Sequence, residues 1–577
     1  MSQCVDVPTL KNDDEVSLDR ILVEEVGQFG MFQLRVIALC ALVALFAGLA
    51  TNDYVFTFAK VNTRCLISEC ESSQSSQRNF TPSWLANAVP ATGNSFDNCH
   101  RYPSRPNVSD SCSGDQFDRD SVIECDDYVY EDKNSAIFEF NLACDEWRPN
   151  IIGSIALFGM MVCLPITGFV ADHWGRRIAL SLTAFNLAWI GCLKYFADSY
   201  TSIVILTLIQ NVTGMCSFSC AYIQAVEFMG PKYRVMAGVS MSTFLATGAT
   251  LQGLIAWTRP YWRHLILILF VPALSTFSYF WISPESIRWL ISKGRYKESE
   301  AILKKAAKLN NKVLSEKTLK AFAVNNDKEI TKKDDSGPWL VYLVFKHKVI
   351  LLRCIVTPVW WITALFVYYG LTLSSVGISG NKYLNYSAVN AVEIPGFWTT
   401  FLLLDRIGRK PLIIGGYWIC GACQLAYIFI PNGHNSLALA VYLIGKLSIS
   451  AVITAVYVYT AELYPTRHRT SLLAYSSMIG RLGAILAPLT PSLRSVIWEH
   501  LPFALFGGMA FLSGLLVFLA PETLGVALPD TMQEANDLGR HSRSSILQCL
   551  RGATANIYAR ATETHSGRSL YEILRAP

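Results

Sequence analysis

The chain has 577 residues, 52% hydrophobic and only 16% charged, with a formal net charge of +5. Soluble domains carry about 25% charged residues and disordered chains need few apolar residues and much charge, so both classes are excluded. The mild net charge gives no support for nucleic-acid binding, which calls for a dense basic patch. A polytopic membrane protein remains.

A spanning helix needs about 20 mostly apolar residues. Twelve such stretches are predicted. The first six are α1 near 35–58, α2 150–171, α3 178–197, α4 201–226, α5 236–257 and α6 264–283. The second six are α7 near 350–372, α8 384–404, α9 411–430, α10 436–460, α11 470–492 and α12 501–520. Backbone groups in lipid must bond internally, which favours helices. Residues 1–34 are mixed and charged, with no cleavable signal peptide, so α1 is expected to act as its own insertion signal. The remaining hydrophilic segments are 59–149, 284–349 and the tail 521–577.

An even number of spans puts both termini on one side, and the Lys/Arg bias of short loops says which. One face holds Arg176, Arg177, Lys232, Arg234, Arg406, Arg409, Lys410, Arg467 and Arg469; the other holds only Arg259, Arg263, Lys382 and Arg494. Both termini are therefore expected in the cytoplasm. Six of the sixteen cysteines, Cys65, Cys70, Cys99, Cys112, Cys125 and Cys144, fall in 59–149. Disulfides persist in oxidising compartments, and six cysteines allow fifteen pairings between which the sequence does not choose. The same segment has glycosylation sequons at Asn79 and Asn107. Together these features predict an extracellular, disulfide-stapled, glycosylated loop. A sequon at Asn211 falls inside α4 and is expected to be unused, and one at Asn385 lies close to the membrane. Cys216, Cys220, Cys420 and Cys423 lie within spans and read as small packing residues rather than metal ligands.

The loops contain a repeat. Asp172-His173-Trp174-Gly175-Arg176-Arg177 follows α2, and Asp405-Arg406-Ile407-Gly408-Arg409-Lys410 follows α8. Glu227 ends α4 with Arg234 seven residues on; Glu462 ends α10 with Arg469 seven residues on. Pro284-Glu285-Ser286 follows α6, with Arg288 two residues beyond, and Pro521-Glu522-Thr523 follows α12. The paired acids stand 233, 235 and 237 positions apart in turn, all on one face. The chain reads as two six-helix halves, 35–283 and 350–520, related by duplication, and such halves favour a transporter with its site at their interface. Gly175 and Gly408 permit tight turns. The charged residues are expected to form charge-assisted bonds that hold the halves together while the cytoplasmic gate is closed; the alternative is topology signalling and helix-end solvation.

These residues carry a resemblance. From about 25 to 540 the chain resembles the major facilitator superfamily, and within it the organic cation, anion and zwitterion (carnitine) transporters. The likeness includes Gly30-Met31-Phe32-Gln33, the Cys-rich loop after α1 and Phe140-Asn141-Leu142-Ala143-Cys144-Asp145. It continues through Pro284-Glu285-Ser286-Ile287-Arg288-Trp289-Leu290, Val392-Glu393-Ile394-Pro395 and Ala461-Glu462-Leu463-Tyr464-Pro465-Thr466. The resemblance implies an all-α fold of twelve membrane helices, alternating access to a central site, and small organic ions as substrates. Two positions depart from it: His173 stands where the family carries Arg or Lys, and Thr207 where relatives often carry Arg.

Ionisable residues inside spans are costly and are functional candidates. They are Glu393 in α8, Lys446 in α10 and Arg481 in α11, with Gly480 and Gly483 expected to leave space around the guanidinium. The resemblance implies Asp at the Arg481 position in cation-selective members and Arg in anion and carnitine types. A guanidinium forks onto a carboxylate with two parallel hydrogen bonds, so Arg481 is the candidate carboxylate anchor; the alternative is a structural pair with a neighbouring carboxylate. Glu393 and Lys446 read either as an interhelical ion pair or as cavity residues, with Glu393 favouring cationic groups or coupling transport to an ion. Aromatics hold ammonium groups by cation–π attraction. Candidates are Trp361, Tyr368 and Tyr369 on α7, with Trp360 beside them, and Phe218 and Tyr222 on α4. The resemblance implies cavity roles at Trp361, Tyr368 and Phe218.

Enzymatic motifs, GxxxxGK[ST], HExxH and GxSxG, are missing from the sequence, so transport is expected to run on gradients, with no cofactor or metal. The expected protein is a plasma-membrane secondary transporter of organic cations or zwitterions, functional as a monomer among membrane lipids. An organic-anion exchanger of the same family is the alternative, disfavoured because Gly396 and Phe397 rather than a Lys follow Pro395. A receptor built on a transporter fold is the alternative of another class. The Lys-rich run 293–333 is expected to form amphipathic cytoplasmic helices, and the tail, with Ser542, Ser544 and Ser545, to be regulatable.

Overall fold

The computed structural model describes residues 18–71, 80–92, 95–105, 112–145, 147–315, 340–431, 433–526, 528–529 and 531–538. Asn79, Asn107, Ser542, Ser544, Ser545 and the Lys-rich run beyond 315 lie outside the described residues.

Among the described residues ten helices are long and apolar enough to cross a membrane. These are α1 (Met31–Thr57), α2 (Trp147–Trp174), α3 (Arg176–Phe196), α4 (Tyr200–Glu227), α5 (Pro231–Thr258) and α6 (Trp262–Ile282), then α7 (Lys348–Gly377), α9 (Arg409–Ile428), α10 (Asn435–Leu463) and α11 (Arg469–Leu493). The remaining two predicted spans are present in shorter form. α12 (Leu501–Val517) is apolar but has 17 residues. α8 is broken into Lys382–Ala391 and Glu393–Ile407. The break has a local cause: the Pro395 ring cannot sit beneath the carbonyl four residues back, that of Ala391, and supplies no amide to it. α4 likewise splits at Met215–Cys216, directly after Gly214, which packs so closely on Leu187 that a Cβ would lie 2.5 Å from its amide nitrogen.

Each half has its own core. In the second, Trp360, Trp361, Tyr417, Tyr442 and Tyr459 are fully buried. In the first, one apolar cluster gathers α1, α3 and α5 with the segment 18–26, and another joins α1, α2 and α6 and reaches Leu373 and Tyr386 of the second half. The halves meet along two antiparallel seams. On α2 and α11, Asn150 donates to Ser492 Oγ at 2.7 Å and Ser154 to the Ile485 carbonyl at 2.7 Å. On α5 and α8, Tyr386 donates to Gln252 Oε1 at 2.8 Å, Ser387 to the Thr250 carbonyl at 3.1 Å and Trp398 to Thr243 Oγ1 at 3.2 Å. These five bonds lie between the middle of the bundle and the face that carries loop 59–149. The duplicated motifs occupy the opposite face.

Loop 59–149 is a small stapled unit. Three short antiparallel ribbons pair β1 (Thr63–Cys65) with β6 (Tyr128–Tyr130), β2 (Ala91–Thr92) with β3 (Ser95–Phe96), and β4 (His100–Arg101) with β5 (Ile123–Glu124). Cys65 pairs with Cys125, Cys70 with Cys112 and Cys99 with Cys144, one of the fifteen pairings. Ribbons this small are marginal in water alone, and the cross-links offset their thin core of Ile67, Leu85, Val89 and Phe117. Arg263 fastens the unit to the bundle through Glu139 at 2.8 Å.

Candidate functional site

The loop motifs resolve into one device built twice. A helix leaves its first amides without intrahelical partners, and the residues ahead of α3 and α9, Gly175 and Gly408, have no side chain to cap them. Glu285 supplies the cap for α3, accepting from the amides of Arg176 at 2.8 Å and Arg177 at 3.1 Å. Glu522 does the same for α9, accepting from Arg409 at 3.1 Å and Lys410 at 2.9 Å. A carboxylate there also suits the positive end of the helix dipole. Both glycines are positive in φ, +109° and +100°, and a Cβ on either would run into the capping carboxylate.

Arginine then ties each turn to the next helix pair. In the second half Arg409 grips Glu462 with Nε and Nη2, at 3.0 and 2.9 Å, and meets Asp405 at 2.8 Å. In the first half Arg176 meets Asp172 at 2.6 Å but reaches Glu227 only at 3.6 Å. His173 adds no charge partner there; its ring stacks on Phe169 at 4.0 Å. These clasps run within each half rather than between halves. Arg234 and Arg288 both bond Asp19 of the N-terminal segment, and Arg469 bonds Thr466 Oγ1 at 3.1 Å. Arg406 is exposed. Asp19 carried no signal in the sequence, because its partners lie more than 200 positions away.

In the middle of the bundle Arg481 projects from α11 to the first half, where Nη1 meets Met160 Sδ on α2 at 3.0 Å. Its side chain is buried, and Nε has no hydrogen-bond partner. Tyr369 is its polar neighbour from α7. Among the described residues no carboxylate lies within ion-pair reach of Arg481. A guanidinium withdrawn from water with no counter-charge is costly, and a carboxylate-bearing ligand is what would compensate it.

Beside it lies a second charged group, and this one is complete. Lys446 Nζ contacts Glu393 at 2.7 Å, donates to Thr372 Oγ1 at 2.7 Å and the Tyr368 carbonyl at 2.9 Å, and sits 3.6 Å from the Tyr368 ring centroid. Tyr368 donates its hydroxyl to Glu393 at 2.6 Å. The break in α8 places Glu393 on the first turn of the second piece.

The predicted aromatics separate into two groups. Tyr368 and Tyr369 are partly accessible and meet edge to face at 5.3 Å. Phe218 and Tyr222, 6.1 Å apart, are also partly accessible from α4. Trp361 is different: it is fully buried, donates to Thr460 Oγ1 at 3.1 Å and packs on Tyr457. Gly480 lies against it so closely that a Cβ would meet Trp361 Cβ at 2.5 Å, and Gly483 lies against Ile362. Those glycines bring α11 onto α7 rather than opening space around Arg481. Asn211 and Asn385 are buried, and Cys216, Cys220 and Cys420 are buried free thiols.

Comparison with known proteins agrees with this architecture. The sugar (and other) transporter family model matches residues 119–534. The organic cation transporter protein of Drosophila melanogaster is 30% identical over 543 residues, covering 90% of this chain and 94% of that protein. Solute carrier family 22 member 3 of Mus musculus is 30% identical, covering 91% and 96%. The organic cation/carnitine transporter 2 of Mus musculus is 28% identical, covering 88% and 92%. Among solved structures, the E. coli xylose transporter XylE in a partially occluded inward-open conformation superposes with a TM-score of 0.56 at 16% identity, covering 86% of this chain and all of that one. The chain belongs to the sugar (and other) transporter family of the major facilitator superfamily, in the branch of the organic cation and carnitine transporters.

Proposed function

We propose that the chain is a plasma-membrane secondary transporter of small organic cations and zwitterions, of the carnitine or amine type, working by alternating access between its two halves. The observation that carries this reading is Arg481: buried, with no carboxylate partner among the described residues, at the boundary of the halves and beside Tyr369, whose ring adjoins Tyr368. A zwitterion places its carboxylate on the guanidinium and its ammonium group against the accessible tyrosine rings; Glu393, paired with Lys446, takes part only when that pair opens. Residues 59–149 are the extracellular cap with Asn79 and Asn107 as its glycosylation sites. Residues 1–34, 284–349 and 521–577 are cytoplasmic, and the monomer is the working unit. The two hydrogen-bonded seams then close the extracellular side, and the motif clasps brace each half as a rigid body while the cytoplasmic side opens.

Uptake in cells expressing the full chain tests this. Carnitine, a β-alanine-type amine, tetraethylammonium and an aryl anion are offered separately. Saturable uptake of ammonium-bearing compounds is expected. Uptake of the aryl anion alone would support an anion exchanger, and absence of any saturable uptake would support a receptor on this fold.

A further inference from the structure

On the motif face, away from the central site, lies a cavity of about 450 Å³ between the first turns of α1 and α3, the end of α6 and the amphipathic helix Tyr296–Leu309. Its charges are unbalanced. Glu285 lines it, but that carboxylate is taken up by the α3 amides. Glu298 lines it too, paired with Arg295 at 2.6 Å. Arg35, Arg177 and Lys305 also line it, and among the described residues none makes an ion pair and the buried Arg177 Nε has no hydrogen-bond partner. The walls are apolar: Leu39, Ile282 and Trp281. Trp281 is 70% exposed at the end of its span, the position where indoles seat at the headgroup level of a bilayer.

We propose that this cavity binds the headgroup of an anionic glycerophospholipid. Its phosphate is held by Arg35, Arg177 and Lys305, and its acyl chains run along α1 and α6. Three unpaired cations at the boundary of an apolar wall match a ligand that is anionic at one end and hydrocarbon at the other. Basic pockets of this kind at the membrane surface suit acidic lipid headgroups. Placement in the inner leaflet follows from the topology proposed above; the binding itself does not depend on the transported substrate.

The test titrates the delipidated full chain, in detergent, with phosphatidylserine or phosphatidylcholine and counts bound lipid by native mass spectrometry. Phosphatidylserine is expected to bind more tightly. Each cation near an anionic headgroup contributes about fivefold in affinity, so Arg35→Gln with Lys305→Gln is expected to weaken phosphatidylserine by roughly twenty- to thirtyfold and phosphatidylcholine, whose choline offsets its phosphate, by much less. Trp281→Ala is expected to weaken phosphatidylserine without altering charge. Equal binding of the two lipids, or unaltered phosphatidylserine binding in the double variant, overturns the proposal. Displacement of the lipid by glycerophosphoserine at matching concentrations also overturns it, since the site would then hold a free phosphate ester. An unchanged thermal unfolding midpoint shows that each variant is folded.

Discussion

Lys446 and Glu393 form an ion pair at 2.7 Å inside the second half, with Lys446 fully buried and Tyr368 bonded to the same carboxylate. Removing one member of a buried pair typically costs about 3–5 kcal/mol, while replacing both is far milder. Glu393→Gln or Lys446→Met alone is expected to lower the thermal midpoint of the purified protein, and the double variant to recover most of the loss. Uptake separates the roles. If Glu393 holds the ammonium group of the substrate, the double variant folds but does not transport cations. Recovery of cation uptake with stability would confine the pair to scaffolding.

Gly408→Ala is expected to destabilise the turn ahead of α9 on two counts. The backbone there is left-handed at φ +100°, and the added Cβ would sit 2.9 Å from a Glu522 oxygen. The backbone component alone is about 1–3 kcal/mol. The midpoint of unfolding and the surface abundance should both fall. Glu522→Gln, which keeps the acceptor oxygen but loses the charge, should fall less. Equal stability of Gly408→Ala and the parent would remove the capping account.

Arg353 on α7 is buried, and among the described residues it has no acidic partner. It donates to the carbonyls of Leu463 at 3.2 Å, Ala535 at 2.6 Å and Leu538 at 3.0 Å. It thereby pins the short helix Met532–Asp537 to the bundle. Hydrogen bonds to charged groups contribute roughly 1.5–3 kcal/mol each before desolvation is counted. Arg353→Gln is expected to release the tail, seen as faster limited proteolysis after α12 with cleavage elsewhere unchanged. Unaltered tail cleavage would contradict it.

Peptide mapping of the unreduced protein is expected to yield Cys65–Cys125, Cys70–Cys112 and Cys99–Cys144. With separations of 60, 42 and 45 residues, the chain-entropy model assigns each about 4 kcal/mol. Loss of Cys99 and Cys144 together should unfold the loop at lower temperature. Any other pairing in the map would refute the ribbon register.

The spans were legible because the bilayer imposes a long apolar run; the break in α8 was not foreseen, although Pro395 is its cause. The repeat in the loops was legible as spacing. Its chemistry was not, because the cap on α3 comes from Glu285, 109 positions beyond the Arg176 amide it receives. Trp361 and Tyr368 stand seven apart and share a helix face, yet only Tyr368 reaches open space. The difference is made by Gly480, which lets α11 press onto Trp361, a contact between helices that helical periodicity does not register. The disulfide pairing needed coordinates for the same reason.

The most direct measurement is uptake by Arg481→Asp of carnitine against tetraethylammonium, at matched surface abundance. Reversing the charge should abolish uptake of the carboxylate-bearing substrate while tetraethylammonium is kept or enhanced. Carnitine uptake by the variant at the level of the parent chain would contradict the assignment of Arg481 as the carboxylate anchor.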